Sequence, residues 1–291
     1  VGTTFKAAVD HIGRVDAVEL VEGVVRSLPW WEPDAKDYPD RDDVRVFIND
    51  GRNYMLLSED TYDLIVVDAA PPIFSEGTVN LYSLEFLELT KARLTDPGIF
   101  MLWVPTPCFE ADFWTIARNF DETFENVAIW SLPDIAGVML MGSRQPLKLD
   151  PGAVGRRIAE RSLGDIAPWM TRDLFEDGIV MTEQELRAKA REFVPVTDDR
   201  PRTEFPRQRF LDGERFWYLP GFIPRPSERF RAEIVQARAV EAPADSVAAG
   251  DTRLAVVGAE RLFDGETARK DVEAVAVVGR RFVQLIRRSG S

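Results

Sequence analysis

Three carboxylates close three successive apolar runs. Glu19 follows Val15-Asp-Ala-Val18, Asp50 follows Val44-Arg-Val-Phe-Ile48, and Asp68 follows Tyr62-Asp-Leu-Ile-Val-Val67. A carboxylate offers two acceptor oxygens and can take both hydroxyls of a ribose, which is the chemistry open to Glu19. Asp50 with Gly51 can accept from an exocyclic adenine amine, because the glycine lets the base approach the backbone. Asp68 precedes Ala69-Ala-Pro-Pro72, where two prolines remove backbone donors and force a loop. A carboxylate at that point faces a reacting centre. Each of the three alone also suits the cap of a following helix. Three in this order favour a nucleoside site.

The elements around them must bring these groups to one edge. Leu64-Ile-Val-Val67 is apolar without alternation, as a strand covered on both faces requires. In open α/β sheets, ligands lie outside the carboxyl ends of such strands. Helices are expected over 3–12, from about 21 to 31, and over 52–59, 83–94 and 110–120. Strands are expected over 15–20, 44–48, 62–68 and 99–104. Residues 32–43, rich in Pro and Asp, form a loop, and Pro97-Gly98 a turn. The last two strands, 127–132 and 137–142, have only Pro133 to Ala136 between them and pair antiparallel. The fold class is therefore α/β, with a mostly parallel sheet, an antiparallel end pair and a C-terminal helical extension. It resembles the Rossmann-like fold of methyltransferases. We expect a nucleoside-binding domain over 1–148 and a helical extension over 149–220. In that extension, one helix runs from Asp150 to about Ser162 and another is capped at Thr182. Residues 221–291 are expected to be a linker and a small terminal unit.

Composition narrows the function classes. A formal charge of −13 over 291 residues disfavours a nucleic-acid partner and suits a cationic substrate. No apolar run reaches the roughly 18–20 residues of a membrane span, and no signal peptide opens the sequence, so a cytoplasmic location is expected. The lone Cys108 excludes an intrachain disulfide. The lone His11, at the end of the first helix, leaves no metal cluster or histidine-based triad to build. Trp30-Trp31, ending an amphipathic helix, reads as packing.

The residues Val18-Glu-Leu20, Asp50-Gly51, Tyr62 to Asp68, Leu81-Tyr82 with Glu85-Phe86, and Leu94 through Pro97-Gly-Ile99 together resemble the spermidine synthase family. Thr197-Asp-Asp-Arg-Pro-Arg-Thr-Glu-Phe205 is similar to its bacterial spermidine-synthase-like branch. The resemblance covers about residues 1–210. It implies an aminopropyltransferase that takes decarboxylated S-adenosylmethionine as co-substrate, an amine as acceptor and no prosthetic group. By analogy, Glu19 holds the ribose, Asp50 and Gly51 the adenine, and Asp68 the attacking amine, with Tyr82 lining the acceptor pocket. The resemblance also implies a homodimer. The alternatives are a methyltransferase using intact S-adenosylmethionine and a non-catalytic nucleoside-binding homologue.

Two positions depart from the family. It usually carries a second aspartate three residues after the first, where this sequence has Pro71. Losing one anionic partner of a diamine costs about 1–3 kcal/mol, so the expectation is a different acceptor, a compensating carboxylate such as Glu76, or no transferase activity. Val1-Gly2-Thr3-Thr4 resembles the tail of the glycine-rich turn that brings backbone donors to the ligand, which assigns Gly2 to the cofactor site. On this reading the small N-terminal β domain and the first strand are missing, and two sheet edges stay open unless another segment pairs with them. Ala274-Val-Ala-Val-Val-Gly279 has the composition to do so.

Overall fold

A computed structural model describes residues 3–11, 13–31, 37–38, 40–68, 78–105, 108–131, 137–147, 181–203, 216–217 and 282–287. Helix α1 (Thr3–His11) leads into β1 (Arg14–Glu19), then α2 (Glu22–Trp31), β2 (Val44–Ile48), α3 (Gly51–Leu57) and β3 (Tyr62–Asp68). A 3-10 turn (Thr78–Leu81) precedes α4 (Leu84–Ala92), β4 (Leu94–Pro105), β5 (Cys108–Phe109), α5 (Glu110–Thr123), β6 (Asn126–Trp130) and β7 (Gly137–Ser143). After these come α6 (Glu183–Ala190), β8 (Phe216–Trp217) and β9 (Phe282–Arg287). The Thr182 cap of α6 forms the expected reciprocal pair with Glu185.

Seven strands form one sheet in the order β2-β1-β9-β3-β4-β7-β6. Strands β1, β2, β3, β4 and β6 run one way, and only β7 and β9 oppose them. The antiparallel pair β6–β7 closes one end of the sheet, as its short connection requires. Strand β4 takes in the Pro97-Gly98 turn, and its pairing with β3 shifts register between Tyr62 and Leu64. Gly98 is required there, since a Cβ would lie 2.9 Å from the Tyr62 carbonyl oxygen.

The slot between β1 and β3 is filled by β9, antiparallel to both. Residues 274–279, whose composition also suits such a strand, lie outside the described residues. Of the terminal unit expected over 221–291, Phe282–Arg287 thus belongs to the main sheet. Two open ladders facing each other demand a strand with donors and acceptors on both edges. The helix expected from Asp150 also lies outside the described residues.

Both faces of the sheet are covered. Leu64 and Val66 point to one layer with Phe5, Ala8, Val9 and Leu28 of α1 and α2. Ile65 and Val67 point to the other, with Tyr54, Phe86, Phe113, Phe120 and Leu186 of α3, α4, α5 and α6. This explains why β3 reads as continuous apolar sequence rather than alternation. Trp30 departs from expectation: it is 86% exposed, because α2 turns that residue away from β1.

Candidate functional site

Strand direction places the three carboxylates. Glu19 and Asp68 are the last residues of β1 and β3, and both pair with Phe282 of β9. They therefore stand two strand spacings apart, about 10 Å, at one level of the sheet. Asp50 follows β2 on the same side. The Asn49 N–H donates to the Glu19 carbonyl at 3.0 Å, which ties the ends of β1 and β2 together.

Glu19 is fully buried, and its Oε1 accepts from the Val21 N–H at 2.8 Å. That bond fixes the carboxylate at the strand end. Leu20, Val21 and Ile48 beside it are each more than 40% exposed and leave an apolar ledge next to a buried acid. Asp50 is the N-cap of α3, with Oδ1 accepting from the Asn53 N–H at 2.9 Å. The cap uses one oxygen, and the other can still accept a ligand amine.

Asp68 is 5% exposed, and Thr4 Oγ1 donates to its Oδ2 at 3.3 Å. Thr4, in the first turn of α1, carries no sequence signal beyond its place in Val1-Gly2-Thr3-Thr4. Tyr82 is fully buried, and its hydroxyl is pushed well above the usual phenol range by burial, with the Asp68 charge adding to it. The structure therefore brings Tyr82 and Asp68 into one electrostatic neighbourhood, with the phenol held protonated. Cys108 is part of the same neighbourhood. Burial, helped by the charge of Asp112, pushes its thiol up to about 12, so it is no thiolate nucleophile at neutral pH. Gly2, Pro71 and Glu76 lie outside the described residues.

A set of contacts that no sequence pattern announced holds the Tyr82 turn. Asn119 of α5, fully buried, donates from Nδ2 to the Tyr82 carbonyl at 2.7 Å and to the Val196 carbonyl at 2.8 Å. Its Oδ1 accepts from the Val196 N–H at 3.1 Å. Arg52, directly after Asp50-Gly51, donates to the Asn80 carbonyl at 2.9 Å, to Ser83 Oγ at 3.1 Å and to Asp198 at 2.8 and 2.5 Å. The Leu84 N–H donates to the Val196 carbonyl and the Asp198 N–H to Glu85 Oε2. Residues 196–198 thus lie against the turn that carries Tyr82.

Away from this edge, Asp16 is a buried hub that accepts from Arg45, from the Tyr62 hydroxyl at 3.0 Å and from the Tyr54 hydroxyl at 3.3 Å. It lies toward the amino ends of the strands and is structural. Among the described residues, no three His, Cys, Asp or Glu side chains converge as a metal site would need. No described helix is long and apolar enough to cross a membrane.

The strand order, the antiparallel end pair and acids at the carboxyl ends define a Rossmann-like α/β domain of the methyltransferase type. Within that class, residues 7–140, a little under half of the chain, match the model of the spermine/spermidine synthase domain, and over them the chain is similar to the spermidine synthases. The polyamine aminopropyltransferase of Desulforudis audaxviator is 28% identical over 180 residues, covering 60% of this chain and 65% of that protein. The polyamine aminopropyltransferase of Methanocaldococcus jannaschii is 30% identical over 113 residues, covering 38% of each chain. The chain thus spans less than two thirds of either relative's length. The crystal structure of spermidine synthase from Thermotoga maritima superposes with a TM-score of 0.51 at 14% identity over 66% of each chain. A spermidine synthase in complex with the transition state analogue AdoDATO gives 0.53 at 15% identity, over 66% of this chain and 67% of that one. At those identities the structural matches speak for the fold.

Proposed function

We propose that this chain moves an aminopropyl group from decarboxylated S-adenosylmethionine to an amine acceptor. The observation that carries the reading is Asp68. It is a buried carboxylate at the end of β3, beside a protonated Tyr82, on the same edge as Glu19 and Asp50. Glu19 would hold the ribose hydroxyls, Asp50 and Gly51 the adenine, and Leu20, Val21 and Ile48 an apolar wall for the base.

The chemistry asks little more of the protein. The donor's sulfonium is already an activated leaving group. The acceptor nitrogen uses its lone pair to form a bond to the aminopropyl methylene, while the carbon–sulfur pair returns to sulfur and neutralises it. The nitrogen must first lose a proton, and Asp68 both attracts the ammonium and takes that proton. Thr4 steadies the carboxylate, and Tyr82 keeps a protonated phenol within its electrostatic reach. Holding both reactants in line supplies most of the remaining acceleration.

The test is calorimetric titration with decarboxylated and intact S-adenosylmethionine, followed by turnover with Asp68→Asn. A preference for the decarboxylated donor, with turnover lost in the variant and methylthioadenosine binding kept, is the expected outcome. A preference for the intact donor would move the reading to methyl transfer. Undiminished turnover in the variant would remove Asp68 from its role.

A further inference from the structure

Arg52 has no part in the proposed chemistry, yet it is the most connected cation at this edge. Its backbone belongs to the turn that carries Asp50 and Gly51, and that turn is rigid on its own account. Asp50 caps α3, and the Tyr54 N–H returns to the Asp50 carbonyl at 2.9 Å. Its guanidinium reaches the other wall, on the Asn80 carbonyl and Ser83 Oγ, either side of Tyr82. The fork on Asp198 then ties in a segment 146 residues further along. That hydrogen bond holds the Asp198 carboxyl below the usual carboxylate range. A lysine could not reproduce the set, because one ammonium lacks the planar fork that meets a carboxylate and a carbonyl together.

We infer that Arg52 is a positioning residue. Through Asn80, Ser83 and Asp198, it locks the acceptor wall that carries Tyr82 to the nucleoside wall that carries Asp50, so that the two keep one spacing. This inference rests on the proposed function for its kinetic consequence, but the lock itself does not. The nucleoside wall keeps its own cap without Arg52, whereas the Tyr82 turn loses two of its ties. Loss of Arg52 therefore loosens the acceptor side selectively. Asp198 acts in the same unit, so removing it repeats the effect and does not add to it.

The experiment uses the full chain with Arg52→Gln, Asp198→Asn and the double variant. Amide exchange in the unliganded proteins reads the lock. Exchange over 79–86 and 196–198 is expected to rise about tenfold or more in every variant, with 51–57 changed less than about threefold. Steady-state turnover with decarboxylated S-adenosylmethionine and whichever amine of a diamine and polyamine panel, putrescine included, the unmutated chain takes best reads the positioning. The amine KM is expected to rise about tenfold, with methylthioadenosine affinity held within about threefold and the double variant no worse than the worse single one. Unchanged exchange over 79–86, or fully additive losses, overturns the inference. A raised KM with unchanged exchange would mean that Arg52 touches the amine directly, and this also overturns it. If the unmutated chain turns over no amine, the proposed function fails instead, and the exchange comparison alone decides the lock.

Discussion

Replacing Asn119 by leucine tests whether the Tyr82 turn is held as the structure describes. Leucine shares the γ-branching of asparagine but is the larger side chain, so Asn119→Leu leaves no cavity and adds some packing strain to the polar loss. Three hydrogen bonds disappear: those to the Tyr82 carbonyl, to the Val196 carbonyl and from the Val196 N–H. The Val196 carbonyl keeps a partner in the Leu84 N–H at 2.8 Å. The Tyr82 carbonyl and the Val196 N–H lose their Asn119 partner inside residues that are fully buried. At about 1–3 kcal/mol for each buried group stripped of its bond, the loss comes to about 2–6 kcal/mol. The leucine returns part of this by adding apolar contact at a fully buried position, so about 2–4 kcal/mol is the expected net. Urea unfolding followed by tryptophan fluorescence measures it, as a lowered midpoint at unchanged slope. A loss below about 1 kcal/mol would refute the reasoning, because it would mean that water or a shifted backbone satisfies those groups at no cost.

The remaining predictions concern titration and packing. Tyr54, Tyr62 and Tyr82 all have phenols raised by burial, so the neutral form belongs to the folded state. The stability they contribute is complete below the ordinary tyrosine pKa and is lost as pH rises through the folded values. Absorbance titration should show these three ionising only with unfolding, and early reversible ionisation of all would count against their burial. Burial pushes the Asp121 carboxyl up, but hydrogen bonds from Arg191 and Arg187 outweigh it and hold it below the usual range. Its contribution is present above the unfolded carboxylate pKa and lost as pH falls through the lower folded value. Asp121→Asn should therefore flatten the acid limb of the stability profile measured by urea midpoint against pH. A Cβ at Gly142 would overlap the Phe124 ring, so Gly142→Ala should lower the thermal midpoint by several degrees, as a cost of about 1–3 kcal/mol does. An unchanged midpoint would show that the ring moves freely.

What could be read in the sequence was what local pattern encodes. Strands 44–48 and 62–68 lie where their apolar residues put them, and the Thr182 cap and Glu185 announced α6. Glu19, Asp50 and Asp68 were legible because each ends or follows a strand, and strand ends in a parallel sheet converge on one edge. Asn119 and Arg52 were not legible. Asn119 is one polar residue inside an amphipathic helix, and its partners lie 37 and 77 residues away. Arg52 reads in sequence as an ordinary charge in the first turn of a helix, and only the fold reveals that it spans two walls. Strand β9 was half legible. The open ladders of β1 and β3 implied an occupant, but residues 274–279 and 282–287 both have strand composition, and only register separates them.

The two walls of the proposed site differ in how they are built, and that difference bears on how such a site can vary. In the proposed nucleoside wall the carboxylate side chains are held by bonds from residues within a few positions, Val21 to Glu19 and Asn53 to Asp50, on strand ends that pair across the sheet. The acceptor wall is made of a short turn held by Asn119, Arg52 and residues 196–198, all distant in sequence. Its shape therefore depends on packing that several segments set jointly. In such a design, donor chemistry stays constant while the acceptor pocket drifts. On the proposed function, a change in which amine is taken, with the same nucleoside donor, is the difference this architecture admits most readily.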